Sequence, residues 1–234
     1  MGYGNTFGEV VSRKSHPEKM ETEYGWKIEA INEPEFSLKQ YFLRKGFNGK
    51  VEFNGVVFLE DGKFSIKTEE REIVLEKQKS IRLSKKSYYI KADEDCLLYV
   101  FSGSTGIELD LTPKETSNVR DKYWGKIEDI ESNNNFTAKR IFMNANGQSS
   151  LEYHVNKKEG YIKQSGKLKV GTRVGRAKNK SIILEAGDVF VVPQGVMHMR
   201  IGMEDTEIIE ISTKDDDADS HLVEDGQKYI HKEE

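Results

Sequence analysis

Of the five histidines, His16, His154, His198, His221 and His231, none falls between positions 16 and 154. Two of them, in the second half, stand among residues that can do chemistry together. Glu152 and His154 are two residues apart, and on a strand that spacing projects both side chains to one face, with Tyr153 opposite. After a short turn, Glu159 returns from the next strand. Farther on, Val189-Phe190-Val191-Val192 ends at a Pro193-Gln194-Gly195 turn, which places His198 at the start of a new strand. Two imidazoles and two carboxylates suit a divalent first-row metal (Mn, Fe, Co, Ni or Zn), and two carboxylates neutralise its double charge. An isolated histidine is more often structural or exposed, so the argument rests on the combined spacing.

Short strands must position these residues. Val56–Leu59, Phe64–Lys67, Ile73–Leu75, Tyr88–Ile90 and Leu97–Phe101 are rich in β-branched and aromatic residues and are separated by Gly, Asp or Lys. Arg140–Met143, Lys167–Val170, Ser181–Leu184, Val189–Val192 and Ile208–Ile211 repeat the style. No long segment has a helical period, so a sandwich or barrel is expected. Gly25-Trp26-Lys27-Ile28-Glu29-Ala30-Ile31 resembles Trp124-Gly125-Lys126-Ile127-Glu128-Asp129-Ile130, Phe36–Phe42 resembles Phe136–Phe142, and Gly62–Ile66 resembles Gly166–Val170. Three colinear matches at nearly one spacing predict an internal duplication. Its boundary is expected in the polar segment Leu111–Asn118, giving domains 1–112 and 113–234.

The second half resembles the two cupin sequence motifs. One runs from Gly147 through Glu152, His154 and Glu159 to Gly166; the other runs from Gly187 through Pro193 and Gly195 to His198. Glu152 stands where the commonest pattern has His, Gly147 lies one residue closer than usual, and Gly202 stands where Asn often ends the second motif. The resemblance implies an all-β fold of two tandem cupin (double-stranded β-helix, jelly-roll) barrels. It also implies a metal held by Glu152, His154, Glu159 and His198 in the second barrel. The first barrel, lacking histidine, is expected to bind none, with Lys91-Ala92-Asp93 in place of Pro193-Gln194-Gly195. Tyr123-Trp124-Gly125, Lys139-Arg140, Ser149–His154, Gln164-Ser165-Gly166, Glu207–Ile211 and Asp219–Asp225 resemble the cupin domain of type II mannose-6-phosphate isomerases and related sugar cupins. That likeness covers about residues 121–229. It implies an isomerase or epimerase acting on a sugar phosphate or nucleotide sugar, with Glu152, Lys139 and Arg200 as catalytic acid/base groups and Arg140 as a further candidate. The first half shows no nucleotidyltransferase glycine loop. A non-enzymatic sugar-binding cupin and an iron-dependent dioxygenase are the alternatives.

Composition narrows the partners. A net charge of −4 without a basic stripe argues against nucleic acid. No run of about 18 apolar residues marks a membrane span. The start, Met1-Gly2-Tyr3-Gly4-Asn5, lacks an apolar signal segment, and the lone cysteine, Cys96, reads as a small buried hydrophobe. A cytoplasmic protein with a small sugar ligand and a homodimeric state is expected. Trp26 and Trp124 are read as core residues, Arg140 and Arg200 as surface charges or phosphate ligands, and Gly171–Gly175 as a hairpin turn. Asp215–Asp219 is read as a solvated loop, and the tail from Glu224 to Glu234 as mobile.

Overall fold

The computed structural model describes residues 13–232; the Met1–Asn5 start and the last two residues of the tail lie outside them. In chain order the strands are β1 (Arg13–Ser15), β2 (Met20–Thr22), β3 (Gly25–Asn32), β4 (Phe36–Leu43), β5 (Asn48–Asp61), β6 (Lys63–Lys67), β7 (Glu72–Glu76), β8 (Lys79–Ala92), β9 (Cys96–Gly103) and β10 (Asp110–Glu115). There follow β11 (Ser117–Lys122), β12 (Gly125–Ser132), β13 (Thr137–Met143), β14 (Leu151–Tyr153), β15 (Glu159–Ser165), β16 (Leu168–Arg173), β17 (Lys180–Leu184), β18 (Val189–Val192), β19 (Met197–Gly202), β20 (Thr206–Ser212) and β21 (His221–Glu224). Among the described residues the one helical element is a 3₁₀ turn at Asp217–Asp219. Among the described residues no helix is long and apolar enough to cross a membrane.

Two compact units result: one of Pro17–Asn118 with Asp129–Phe136, the other of residues 13–16, Val119–Glu128 and residues 137 onward. In the first, one sheet runs β2-β3-β4-β9-β5-β8-β6-β7, with β10 on β8. In the second, one sheet runs β11-β12-β13-β20-β15-β18-β1 and another runs β17-β16-β19-β14-β21. The orders β2-β3-β4-β9-β5-β8 and β11-β12-β13-β20-β15-β18 correspond strand for strand. The chain is thus all-β, two jelly-roll barrels in tandem. Each closes on its own apolar interior. Leu43, Val57, Phe64, Ile66, Leu83 and Leu98 are among the buried side chains of the first; Trp124, Ile141, Tyr161, Val170, Phe190 and Ile208 are among those of the second.

The registers fix which residues correspond. Lys39 pairs with Val100 as Lys139 pairs with Glu210, and Ser37 pairs with Ser102 as Thr137 pairs with Ser212. Val57 faces Val100 as Tyr161 faces Glu210, which sets Gly55 at the place of Glu159. Phe64 pairs with Ala92 as Leu168 pairs with Gly202, which sets Tyr88 at the place of His198. Val51 pairs with Tyr88 as Glu152 pairs with His198, so Val51 and Phe53 stand for Glu152 and His154. Val51, Phe53 and Tyr88 all belong to the first barrel's apolar core.

The strand paths differ at the same places. In the second barrel the chain breaks between β14 and β15, at residues 154–158, and between β18 and β19, at residues 193–196. In the first, β5 and β8 run continuously for 14 residues each, through one bulge next to Gly55. The counterpart of Pro193-Gln194-Gly195 is therefore Ser84-Lys85-Lys86 within β8, since Leu83 faces Gly55 as Val192 faces Glu159. This corrects the expectation of Lys91-Ala92-Asp93: a turn in one barrel matches an unbroken strand in the other, and no local turn signal marks the correspondence.

Both ends of the described segment are tied down. β1 adds to β18 as an edge strand of the second barrel, and Asp188 accepts Lys14 Nζ at 2.7 Å and faces His16 Nδ1 at 2.9 Å. The tail expected to be mobile is docked as far as residue 232. Gln148 Nε2 donates to Gly226 O and Tyr229 O, Asn179 Nδ2 donates to Tyr229 Oη and Lys232 O, and buried His231 lies against Gly171. Trp124 is buried in the second core, while Trp26 stacks on Phe42 at 5.5 Å with Lys19 over its ring. Cys96 is buried, and burial pushes its thiol up to about 11, so it stays protonated at neutral pH.

Gly25 and Gly125 open the corresponding strands β3 and β12 at φ +143° and +149°. A Cβ at Gly125 would lie 1.9 Å from Phe142 O, and one at Gly25 would lie 2.2 Å from Phe42 O. Both positions require glycine on conformation and on space. Gly125→Ala should lower unfolding free energy by about 2–4 kcal/mol, read as a shifted urea midpoint at constant slope. A midpoint equal to the wild type's would contradict this packing.

Candidate metal centre

The four expected residues come together. Glu152 on β14 pairs across to His198 on β19; His154 follows β14 directly, and Glu159 opens β15. One donor atom from each of Glu152, His154 and His198 lies within 4.8 Å of the others. Glu159 Oε1 is 3.4 Å from His154 Nε2, and Glu159 Oε2 is 3.0 Å from His198 Nε2. His154, Glu159 and His198 are buried, and Glu152 is partly exposed.

The backbone sets the imidazole tautomers. His154 Nδ1 is 3.0 Å from Asp219 O, and His198 Nδ1 is 3.0 Å from Val196 O. A carbonyl only accepts, so each Nδ1–H donates, and each neutral ring turns its Nε2 lone pair inward. Those two nitrogens and Glu159 Oε2 are buried and have no hydrogen-bond partner. With both rings neutral, the lone pairs of His198 Nε2 and Glu159 Oε2 face each other at 3.0 Å, and His154 Nε2 lies 3.4 Å from the other Glu159 oxygen, an arrangement relieved by a metal ion or, in its absence, by a proton on a ring. Donors held ~2.1 Å from one ion, at angles between a right angle and the tetrahedral one, are ~3.0–3.4 Å apart. The donor set fits a divalent transition metal.

A buried ionic network supports the carboxylate. Lys157 Nζ lies 2.6 Å from Glu159 Oε1, 2.9 Å from Asp215 Oδ1 and 3.7 Å from Glu210 Oε1. Burial opposes the Lys157 ammonium, but Glu159, Glu210 and Asp215 more than offset it, and its pKa lies well above the usual lysine value. Burial likewise opposes the Glu159 anion, and Lys157 ahead of the histidines reverses that, so Glu159 stays ionised. Asp215, drawn down to about 2 against its own burial by Lys157 and Lys139, is ionised too. Around the site Lys139, Lys157 and Arg200 face Glu152, Glu159, Glu210 and Asp215, so with neutral imidazoles one negative charge is in excess. Excess buried charge of that sign favours a bound cation.

Lys139 and Arg200 serve this network. Lys139 Nζ lies 2.5 Å from Asp215 Oδ2 and 3.9 Å from Glu210 Oε1. Arg200 Nη1 donates to Glu210 Oε2 at 2.8 Å, and the guanidinium lies over the Tyr161 ring. Both side chains are buried, as is Arg140 against Glu207, so Arg140 and Arg200 are not surface charges. Alternation turns Lys139 to the same face of β13 as core residue Ile141, where it and Arg200 meet buried Glu210 of β20, whereas Arg140 lies on the opposite face of β13 against Glu207.

Two residues went unnoticed in the sequence. Lys157 is two positions before Glu159, a spacing that gives both one face and is legible in principle. Asp219 carries no such signal. It lies 62–65 positions from the loop it holds, accepting the backbone N–H groups of Val155, Asn156 and Lys157 while its carbonyl fixes His154. Burial raises the Asp219 pKa, and those three amides more than reverse it. The run Asp215–Asp219 is solvated at Asp216, Asp217 and Ala218, as expected, but its first and last carboxylates turn in and hold the site.

With the geometry established, the chain can be placed among known proteins. The cupin family model matches residues 125–226, a little under half of the chain. A comparison with curated proteins gives no significant match. Among solved structures, the chain is similar to Lactobacillus farciminis oxalate decarboxylase in complex with formate (TM-score 0.67, 15% identity, covering 96% of this chain and 89% of that one). It is also similar to a structure of Bacillus subtilis oxalate decarboxylase, an enzyme with Mn(II) centres (TM-score 0.67, 13% identity, covering 91% and 79%). At these identities the likeness is one of fold, and it spans both barrels.

His154→Ala and His198→Ala should each leave the barrel folded, because apolar strands such as Val189–Val192 hold it, while metal affinity falls steeply. Burial lowers the His154 pKa, but Glu159 raises it further, to a net position above the ordinary imidazole value. Metal must displace that proton, so below the raised pKa wild-type affinity should fall roughly tenfold per pH unit. Calorimetric titration with Mn²⁺ or Zn²⁺ between pH 8 and pH 5 checks both statements. Stoichiometric metal in the double variant would contradict them.

Proposed function

We propose that the second barrel binds one divalent first-row metal through His154, His198 and Glu159 and catalyses an isomerisation or epimerisation of a sugar phosphate or nucleotide sugar. The observation that carries this reading is the place of Glu152. Its carboxylate is partly exposed and adjoins both imidazole nitrogens, with Ser220 Oγ donating to it. Burial raises the Glu152 pKa, but His198 when charged, the Ser220 hydroxyl and Arg200 lower it further, leaving a carboxylate that is ionised at neutral pH.

The bound metal supplies Lewis acidity, polarising a carbonyl and acidifying the carbon next to it. In an isomerisation Glu152 takes the proton from that carbon and returns it to the former carbonyl carbon on the same face, while the hydroxyl proton of the first carbon passes to the former carbonyl oxygen, so no net proton is consumed; an epimerisation requires a second proton donor on the opposite face. Lys157 holds Glu159, leaving Oε2 for the ion. Arg200 and Lys139, spent on Glu210 and Asp215, set the local charge rather than exchange protons. The sugar substrate rests on the resemblance of Ser149–His154 and Asp219–Asp225 to sugar cupins. A homodimer and a cytoplasmic location belong to the same proposal.

Glu152→Gln separates the roles. If Glu152 is the base, the variant binds metal normally while turnover falls at least a hundredfold. If it is a fourth ligand in a non-catalytic sugar-binding cupin, metal affinity weakens and wild-type protein turns over nothing. The assay uses metal-loaded protein with sugar phosphates and nucleotide sugars, and with oxalate, because the solved structures named above are oxalate decarboxylases. Turnover of oxalate alone would replace the isomerase reading.

A further inference from the structure

The first barrel has lost the metal position to Val51, Phe53 and Tyr88, yet it has not closed. A cavity of about 660 Å³ remains, lined on its inner face by Tyr24, Lys27, Ser37, Lys39, Tyr41 and Ser102, with Val51 and Val100 also lining it. Lys27 pairs with Tyr41 across β3 and β4, and Glu29 pairs with Lys39, so these side chains share one face of the sheet. It is the face that carries buried Tyr41 and Leu43, the interior of the barrel.

The charges have been rearranged. In the second barrel Lys139 is buried and neutralised by Asp215, three residues beyond Ser212. Three residues beyond Ser102, the match of Ser212, the first barrel has Thr105, and at the match of Glu210 it has Val100. Lys39 has thus lost both carboxylates of its counterpart. It shares a single oxygen, Glu29 Oε1, with Lys27, at 3.3 and 3.9 Å. Two ammoniums thus share one exposed carboxylate beside the cavity. Glu33, Lys50 and Glu52 line it as well, so three cations stand against three anions, and the positive charge is confined to the Lys27–Lys39 pair. Burial raises the Tyr24 and Tyr41 hydroxyls above the ordinary tyrosine value, so both remain proton donors.

We propose that this cavity is a second ligand site, independent of metal and of the reaction assigned to the other barrel. Its ligand is a small hydroxyl-bearing molecule with one anionic group, a phosphate monoester or a carboxylate. The anion sits between Lys27 and Lys39, and the hydroxyls meet Tyr24, Tyr41, Ser37 and Ser102. Competition with Glu29 for the two ammoniums keeps the affinity moderate, since Glu29 must yield its place.

The test uses the full chain carrying His154→Ala and His198→Ala, in chelator, so that the other barrel cannot capture the anion. Glucose 6-phosphate, glucuronate and glucose are titrated by calorimetry, and NMR shifts report which barrel responds. One or both anionic probes should bind saturably with shifts in residues 24–54, and glucose at least tenfold more weakly. The relative affinity of the two anions distinguishes a phosphate site from a carboxylate site. K27Q together with K39Q should weaken binding at least tenfold, while K39R retains it. Neither side chain is buried, so these variants should fold. Undiminished binding in the double variant, equal binding of glucose, or no saturable binding of either anion would each overturn the proposal.

Discussion

A carboxylate buried at the centre of a barrel, facing two imidazole lone pairs, is the constraint around which the second unit is organised. Glu159 cannot stay ionised there without compensation, because desolvation of a single anion costs several kcal/mol. Lys157 supplies part of that compensation at 2.6 Å from one carboxylate oxygen. The other oxygen and both Nε2 atoms are left for a cation. Asp215, Lys139, Glu210 and Arg200 follow from the same need, since each buried charge brings a partner with it. Asp219 then fixes the loop on which His154 and Lys157 ride.

The two barrels show what such a site asks of a fold. Ligand-bearing chains must leave the sheet twice, after His154 and at Pro193-Gln194-Gly195, so that side chains from β14, β15 and β19 converge. Where the first barrel carries β5 and β8 straight through, the same positions hold Val51, Phe53 and Tyr88. Burying those three gains hydrophobic free energy, at ~25 cal/mol per Å² of apolar surface, and removes the need for a counter-ion network. One barrel thus has its interior stabilised by apolar packing, the other by paired charge around a metal-binding donor set. The sheet order is common to both.

Much of this was legible in the sequence because it is local. Val189–Val192 and Leu97–Phe101 are strands by composition, and Glu152, His154, Glu159 and His198 are set by spacing within two short motifs. The match of Gly62–Ile66 to Gly166–Val170 is the register that makes Tyr88 the counterpart of His198. What the sequence hid is non-local. Asp219 reaches a loop more than 60 residues away, β1 crosses to a strand at Val189–Val192, and the tail is held by Gln148 and Asn179. Lys139 and Arg200 read as acid/base groups, and Arg200 also as a surface charge or phosphate ligand, because their partners, Glu210 and Asp215, lie on other strands and loops. The counterpart of the Pro-Gln-Gly turn was misplaced because an unbroken strand carries no punctuation to align.

The claim that most depends on this account is that Glu159 and the two imidazoles share one metal ion. X-ray absorption at the metal edge, on purified full chain whose metal content has been measured by elemental analysis, tests it directly. The account predicts one first-row divalent metal per chain, with two imidazole nitrogens and at least one carboxylate oxygen at ~2.0–2.2 Å. Protein that cannot be loaded with any such metal, or an absorption spectrum without imidazole scattering, would contradict it.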